Sequence, residues 1–378
     1  MVSNQETVEN ACCSGICSAD ITEDDVMKKN IGAKKIVCAI MIVVLILLGV
    51  PVIVYRNQIA TLSSVKKIDD YPIYLMDYKG TYWFDDYMKT NGSDDDEDLI
   101  RFLENKLTYG LISNTGNIEE RPNAMCTCFV CKNENGEILY CRNLEESIYC
   151  PSVVVITHDG TYQTIGTSFL LEAPKNATFL TKNTTMLWEP YFTADGMNEA
   201  GLAISDLSVP YSPLPANDNA PCLTSDQICR LVLNEASTVD EAVMLFDTFK
   251  LNASMFETLS ACHFLIADKS GNMAVVEIHD GKVDVVEPIH DNYMTVTNFY
   301  LNDDTSSGTG QARYNFVEDA LATKKGVMTV DEALDLLASV NDPFIHAEWS
   351  CVYNLTTGEM YIMPHAQREN THALEVPW

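Results

Sequence analysis

The chain has 378 residues, 47% of them hydrophobic, which is enough for a sizeable core and too many for a chain disordered throughout. Its 24 Lys and Arg stand against 54 Asp and Glu, a formal net charge of −30. Nucleic-acid binding rests on Lys and Arg neutralising phosphates, so this balance excludes a nucleic-acid partner.

Residues 1–35 form a polar tail that contains "ACCSGIC", with Cys12, Cys13 and Cys17. Those thiols are either an acylation site or reduced cysteines without a role. Residues 36–55, "IVCAIMIVVLILLGVPVIVY", are an uncharged run. As a helix rising about 1.5 Å per residue, the run covers a hydrocarbon core of roughly 30 Å and reads as a transmembrane helix. A core helix would carry polar residues over such a length, and a cleaved signal peptide would have a shorter apolar run. Lys28, Lys29, Lys34 and Lys35 precede the run, whereas Arg56, Lys66 and Lys67 follow it. By the positive-inside rule, the N-terminus is cytoplasmic and the rest of this single-pass membrane protein lies on the other side.

Residues 56–125 read as a linker and a helical pro-region. The acidic run Asp94 to Asp98 leads into Leu99, Ile100, Leu103 and Leu107, which share one helical face. Carboxylates in a first turn suit the helix dipole, whereas a calcium loop would need alternating ligands and a glycine. Further on, "HFLIAD" (263–268), "MAVVEI" (273–278) and "VDVVEP" (283–288), separated by the turns "KSGN" and "HDGK", predict a three-stranded antiparallel meander. "EWSCVYN" and "EMYIM" predict a last hairpin around Thr357-Gly358. The pattern "TVDEA" at Thr238 to Ala242 and again at Thr329 to Ala333 predicts two helices opened by capping boxes. The fold class is therefore α+β with mostly antiparallel strands.

The stretch "NAMCTCFVCKNENGEILYCRNLEE" (123–146) holds Cys126, Cys128, Cys131 and Cys141. Structural zinc needs a second Cys-x-x-Cys or a His pair, and none follows. Disulfides suit an extracytoplasmic domain, yet nine cysteines follow the apolar run, so pairing leaves one over. A nucleophilic cysteine needs a base and a nearby cation. An α-amine, with an ordinary pKa near 8, is such a base if the cysteine begins the chain.

Met-Cys-Thr at 125–127, followed by "NENGEILYCRNLE" with Arg142 sixteen residues after Cys126, resembles the start of the choloylglycine hydrolase family, the linear amide C-N hydrolases of the N-terminal-nucleophile group. "DGMNEAGLAISDLSVP" (195–210), "HFLIADKSGNMAVVEI", "TVTNFYL" (295–301), "GTGQARYNFVEDAL" and "EWSCVYN" resemble later family segments in the family's order. The resemblance implies a four-layer αββα sandwich with antiparallel sheets over residues 126–365, ahead of a C-terminal tail at 366–378. It implies Cys126 as nucleophile, Arg142 beside its sulfur, and Glu145, which stands where the family has Asp, holding the freed α-amine. Asn298 would donate to the oxyanion and Arg313 would complete the polar network. Near Asp206 or Ser208, where the family has another site residue, the sequence shows no clear match. The implied activity is cleavage of a linear, non-peptide amide C-N bond in a small N-acyl substrate, such as a bile-acid conjugate, penicillin V or an N-acyl amine. It needs no metal or cofactor, but it does need cleavage before Cys126, because 125 residues precede that cysteine. The alternative is an extracytoplasmic binding module that keeps the fold without turnover.

Overall fold

The computed structural model describes residues 41, 51–92, 96–110, 125–146, 151–170, 184–213, 220–251, 260–302, 308–340, 345–376 and 378. The chain divides into two units, Met1–Arg56 and Asn57–Trp378. Most of the apolar run expected to span a membrane, 36–40 and 42–50, lies outside the described residues, as do Cys12, Cys13 and Cys17. Among the described residues, no helix is long and apolar enough to cross a membrane.

The second unit opens with α1 (Arg56–Ser64), β1 (Lys66–Lys67), β2 (Ile73–Asp77), α2 (Phe84–Met88) and α3 (Asp96–Thr108). A hairpin follows, β3 (Met125–Lys132) and β4 (Ile138–Glu146), then β5 (Ser152–Thr157) and β6 (Thr164–Phe169). Next come a 3-10 helix (Thr185–Tyr191), β7 (Thr193–Asn198), β8 (Leu202–Pro210), β9 (Cys222–Leu223), α4 (Ser225–Glu235), α5 (Val239–Leu245) and β10 (Lys250–Leu251). The expected meander is β11 (Ser260–Asp268), β12 (Met273–His279) and β13 (Lys282–Val286). β14 (Met294–Val296), β15 (Asn298–Phe299), β16 (Gly308–Thr309), α6 (Gln311–Lys324) and α7 (Val330–Ser339) lead to the last hairpin, β17 (His346–Asn354) and β18 (Glu359–Pro364), and to β19 (His372–Glu375).

Two large sheets result, with strand orders β1-β2-β5-β6-β7-β8-β11-β12-β13 and β14-β3-β4-β17-β18-β19. Side chains alternate across a strand, so each sheet has two faces to cover. Val130, Tyr140 and Leu144 of the smaller sheet pack with Val154, Ile165, Leu265 and Val275 of the larger one, filling the space between them. On the opposite parity, Phe129, Leu139 and Val352 pack under Val317, Leu321, Leu334 and Leu337 of α6 and α7. Val153, Val155, Phe264 and Ile266 of the larger sheet pack under Ile228 and Val232 of α4, together with Leu99, Leu103 and Leu107 of α3. The order helices, sheet, sheet, helices is the four-layer arrangement expected.

Several local expectations change. Thr329 and Glu332 make a full capping box, whereas at Thr238 only half of one forms: the threonine accepts from Glu241 N–H, and the Glu241 carboxylate instead accepts from Ser237 N–H at 2.8 Å. Thr224 and Gln227 form a box that the sequence reading did not anticipate. The residues before Cys126 also enter the larger sheet, where β2 pairs in parallel with β5. At the other end of the chain, β19 adds an edge strand to the smaller sheet beside β18. Finally, Cys126, Cys128, Cys131, Cys141, Cys222, Cys229, Cys262 and Cys351 are all free thiols, so the disulfide expectation fails for these eight cysteines. The ninth, Cys150, lies outside the described residues.

Candidate active site

Hairpin register builds the site. Asn133 closes the connection between β3 and β4, its side-chain oxygen accepting from the N–H groups of Asn135 and Glu137 at 2.9 and 3.0 Å. Gly136 takes the left-handed φ of 81° that the turn requires. The turn sets Cys126 opposite Leu144, Cys128 opposite Arg142 and Met125 opposite Glu145. On the other edge of β3, β14 places Val296 opposite Cys128, which brings Asn298 alongside Cys126.

All five residues expected at the site meet there, but they divide between the two faces of the sheet. Cys126, 1% exposed, packs between the sheets. Its N–H donates to Asn298 Oδ1 at 2.8 Å, and Asn298 Nδ2 donates to the carbonyl of Ser208 on β8 at 2.8 Å. Asn298 thus holds the Cys126 nitrogen, and the oxyanion role expected for its amide would require exchanging the bond to Ser208. Arg313, in the first turn of α6, donates through Nη1 to Cys126 O and Thr127 Oγ1, both at 2.6 Å, and through Nη2 to Asn298 Oδ1 at 2.8 Å. Its Nη1 also lies 3.1 Å from Glu145 Oε2. Glu145 therefore pairs with Arg313. The helix starts this close because its N-cap is Gly310, at φ 90°: a Cβ there would lie 2.8 Å from Thr297 Oγ1 and 3.0 Å from Arg313 Nη2.

Arg142 is fully buried, and carboxylates on two strands of the facing sheet clamp it. Its Nε lies 3.4 Å from Asp195 Oδ2, and its Nη2 lies 3.7 Å from Asp206 Oδ1. Nη1 donates to the Asp206 carbonyl at 2.6 Å and to Cys128 Sγ at 3.5 Å. Asp195 in turn accepts from Trp349 Nε1 at 3.0 Å and from the Tyr353 hydroxyl, and Asp206 accepts from Ser225 Oγ at 2.6 Å. The sequence reading missed this clamp, although both aspartates lie in the quoted stretch 195–210. Burial pushes the Cys126 thiol up to about 12, against the pull of Arg142, with Cys128 and Asp206 adding to the rise. Burial likewise raises Cys128, to about 11, despite Arg142 beside it. Both sulfurs are therefore neutral thiols at pH 7.

Behind Asn298 lies a second buried pair. His263 Nε2 is 2.7 Å from the carbonyl of Thr297, and its Nδ1 is 3.4 Å from Glu277 Oε1. The Glu277 carboxylate accepts from Leu301 N–H at 2.6 Å and Asn302 N–H at 3.2 Å, bracing the segment that carries Asn298. Burial alone would raise the Glu277 carboxyl, but the hydrogen bonds from His263, Leu301 and Asn302 outweigh it and hold the group below the usual carboxylate range. The stability gained from a depressed carboxylate is complete above its unfolded pKa of about 4.3 and is lost as pH falls through the folded value. Acid titration of thermal unfolding is expected to show that loss in the parent. Glu277→Gln is expected to melt lower at pH 7 and to lose less on acidification, and an equal acid response in both proteins would refute the assignment.

Residues 126–303 match the family described as linear amide C-N hydrolases, choloylglycine hydrolase family, the match starting at Cys126 itself. A penicillin V acylase from Pectobacterium atrosepticum is 34% identical over 116 residues, which cover 28% of this chain and 30% of that protein's length. Among solved structures, a mutant conjugated bile acid hydrolase from Clostridium perfringens superposes with a TM-score of 0.50 at 15% identity, over 66% of this chain and 92% of that one. That likeness shows a shared fold.

Proposed function

We propose that this chain, whose residues 126–303 match the choloylglycine hydrolase family, is a cysteine hydrolase of linear N-acyl amides that becomes active once the peptide bond before Cys126 is cut. The observation that carries the reading is the hydrogen bond from Cys126 N–H to Asn298 Oδ1 at 2.8 Å. It holds the very nitrogen that becomes the base, on the same residue as a buried thiol facing Arg142.

With the thiol pushed up to about 12, the sulfur is protonated at pH 7, so the uncut chain has a nucleophile in place but no base to activate it. Cleavage has two consequences. It creates an α-amine with an ordinary pKa near 8 at the strand end, reachable from both faces of the sheet, and it removes Met125 from beside Glu145. Glu145, opposite Met125 in the register, then takes the ammonium form as a further partner beside Arg313, which also fixes Asn298 and the Cys126 carbonyl. In the reaction, the amine takes the thiol proton, the sulfur attacks the substrate's amide carbonyl carbon, and the amine returns the proton to the leaving nitrogen. Water then attacks the thioester, releasing the acid and restoring the thiol. The cut cannot use that base, since the amine does not yet exist: in self-cleavage, Cys126 Sγ attacks the Met125 carbonyl carbon, the thiol proton passes to the departing amide nitrogen, and water then hydrolyses the resulting thioester.

The substrate class is a small N-acyl amide, of which bile-acid conjugates, penicillin V and N-acyl amines are the candidates. Separating whole from cut chains and assaying both for amine release from such a panel tests the proposal. The cut form is expected to hydrolyse at least one amide and the whole form none. Equal rates from the two forms, or silence of the cut form on every amide, would count against it.

The same reading includes anchorage, with residues 36–55 crossing a membrane and 1–35 in the cytoplasm, supported by the lysines ahead of the run. The opposite orientation would leave residues 57–378 on the cytoplasmic side. Protease protection of sealed vesicles distinguishes the two orientations.

A further inference from the structure

We infer that residues 57–110 stay bound to the catalytic part after the chain is cut before Cys126, as a non-covalent subunit that completes the fold. The inference rests on the proposed cut and adds what happens to the two pieces.

Three independent contacts hold the segment. The first is backbone: β2 lies in parallel against β5 over five registered pairs, from Ile73 opposite Ser152 to Asp77 opposite Ile156. Ser152 N–H donating to Pro72 O at 3.0 Å and Tyr78 N–H donating to Ile156 O at 2.8 Å extend the ladder at both ends. Withdrawal of the segment would leave β5 as a bare sheet edge.

The second contact is aromatic. Tyr78, Tyr82, Phe84 and Tyr87 are each at most 2% exposed, and the rings of Tyr82, Phe84 and Tyr87 lie 6.2, 5.5 and 5.6 Å from that of Tyr191. A buried aromatic side chain removes 150–250 Å² from water, so these four account for roughly 600–1,000 Å². A standard stable interface buries about 800 Å² per partner; part of the aromatic area is buried ring against ring within the segment, and Leu99, Leu103 and Leu107 of α3 add to the remainder.

The third contact is polar and fixes the register. Asp159 Oδ2 accepts from Thr81 Oγ1 at 2.7 Å and from Tyr82 N–H at 2.9 Å, while the Tyr82 hydroxyl donates to Asn234 Oδ1 at 2.8 Å. Beneath the Tyr82 ring, 5.7 Å from its centroid, sits the guanidinium of Arg230, fully buried on α4. It donates to Pro190 O at 2.9 Å and to the hydroxyls of Thr164 and Thr193 at 2.6 Å, all neutral oxygens. Tyr82 therefore supplies the π face over a buried cation, and loss of the segment would uncover both. Cleavage then exposes an amine at Cys126 without opening the core and without separating the catalytic part from whatever precedes residue 57.

The test cuts the chain without relying on its own chemistry. The full chain, carrying Cys126→Ala, an N-terminal affinity tag and a site for a specific protease placed within residues 111–124, is immobilised in mild detergent and then cut. The C-terminal piece is expected to stay on the resin through native washing and to leave only in denaturant. Its release on cutting would overturn the inference. The same chain with Tyr82→Ala and Phe84→Ala, immobilised whole first, is expected to lose the C-terminal piece on cutting, and full retention would overturn the aromatic part of the argument. Because the added protease makes the cut, failure of self-cleavage or of amide hydrolysis leaves this result unaffected.

Discussion

Cys126→Ala is expected to leave the chain whole and without amide-hydrolysing activity. In the proposed mechanism, the substitution removes the sulfur that attacks both the Met125 carbonyl and the substrate, and the nearby Cys128 cannot replace it. Cys128 lies two residues along the strand, and its nitrogen belongs to an internal peptide bond, so no amine is available to take its proton. Removing a covalent nucleophile costs roughly 10⁴-fold or more in rate, while losing one buried sulfur from a packed site costs about 1–2 kcal/mol of stability. The folded variant should therefore be obtainable. Intact mass with N-terminal sequencing reads the first effect, and amine release from the substrate panel reads the second. A fragment beginning at residue 126 in the variant would assign the cut to another protease. Residual hydrolysis above a tenth of the parent rate would remove Cys126 from the mechanism.

What the sequence disclosed follows physical range. The β3–β4 hairpin was legible because Asn135-Gly136 marks the turn and the apolar alternation on either side fixes the register. With it came the approach of Arg142 to the cysteine face, although its register partner is Cys128 and Cys126 lies two pairs further along. The meander and the last hairpin were legible for the same local reason. By contrast, the clamp on Arg142 depends on Asp195 and Asp206, on strands of the other sheet, and no spacing rule encodes a contact between sheets. The parallel pairing of β2 with β5 was equally hidden, since parallel strands are joined by long connections and "YPIYLMDY" carries no turn signal. The eight cysteines misled for a different reason. An extracytoplasmic setting invites pairing, but in this fold the buried strand positions treat a thiol as a small apolar side chain.

Arg142→Met is expected to destabilise the fold by about 3–5 kcal/mol, the cost of removing one partner from a buried ion pair. The methionine fills most of the space, so the penalty comes from charge: Asp195 keeps Trp349 and Tyr353 as donors but loses its cation, and Asp206 keeps Ser225. Denaturant midpoints measure the loss, and a double-mutant cycle identifies its source. Asp195→Asn alone is expected to destabilise by leaving Arg142 with one carboxylate, and the pair Arg142→Met with Asp195→Asn is expected to be more stable than the sum of the single losses predicts. Simple additivity would mean that Arg142 contributes by packing and that the ion pair is incidental. A second effect separates the arginine's chemical role from its structural one. Arg142 is the leading influence that opposes burial at Cys126, so without it the thiol rises further. Alkylation of Cys126 at a fixed alkaline pH is therefore expected to slow in Arg142→Met. Asp195→Asn, which leaves the guanidinium charge in place, should not slow it by the same factor.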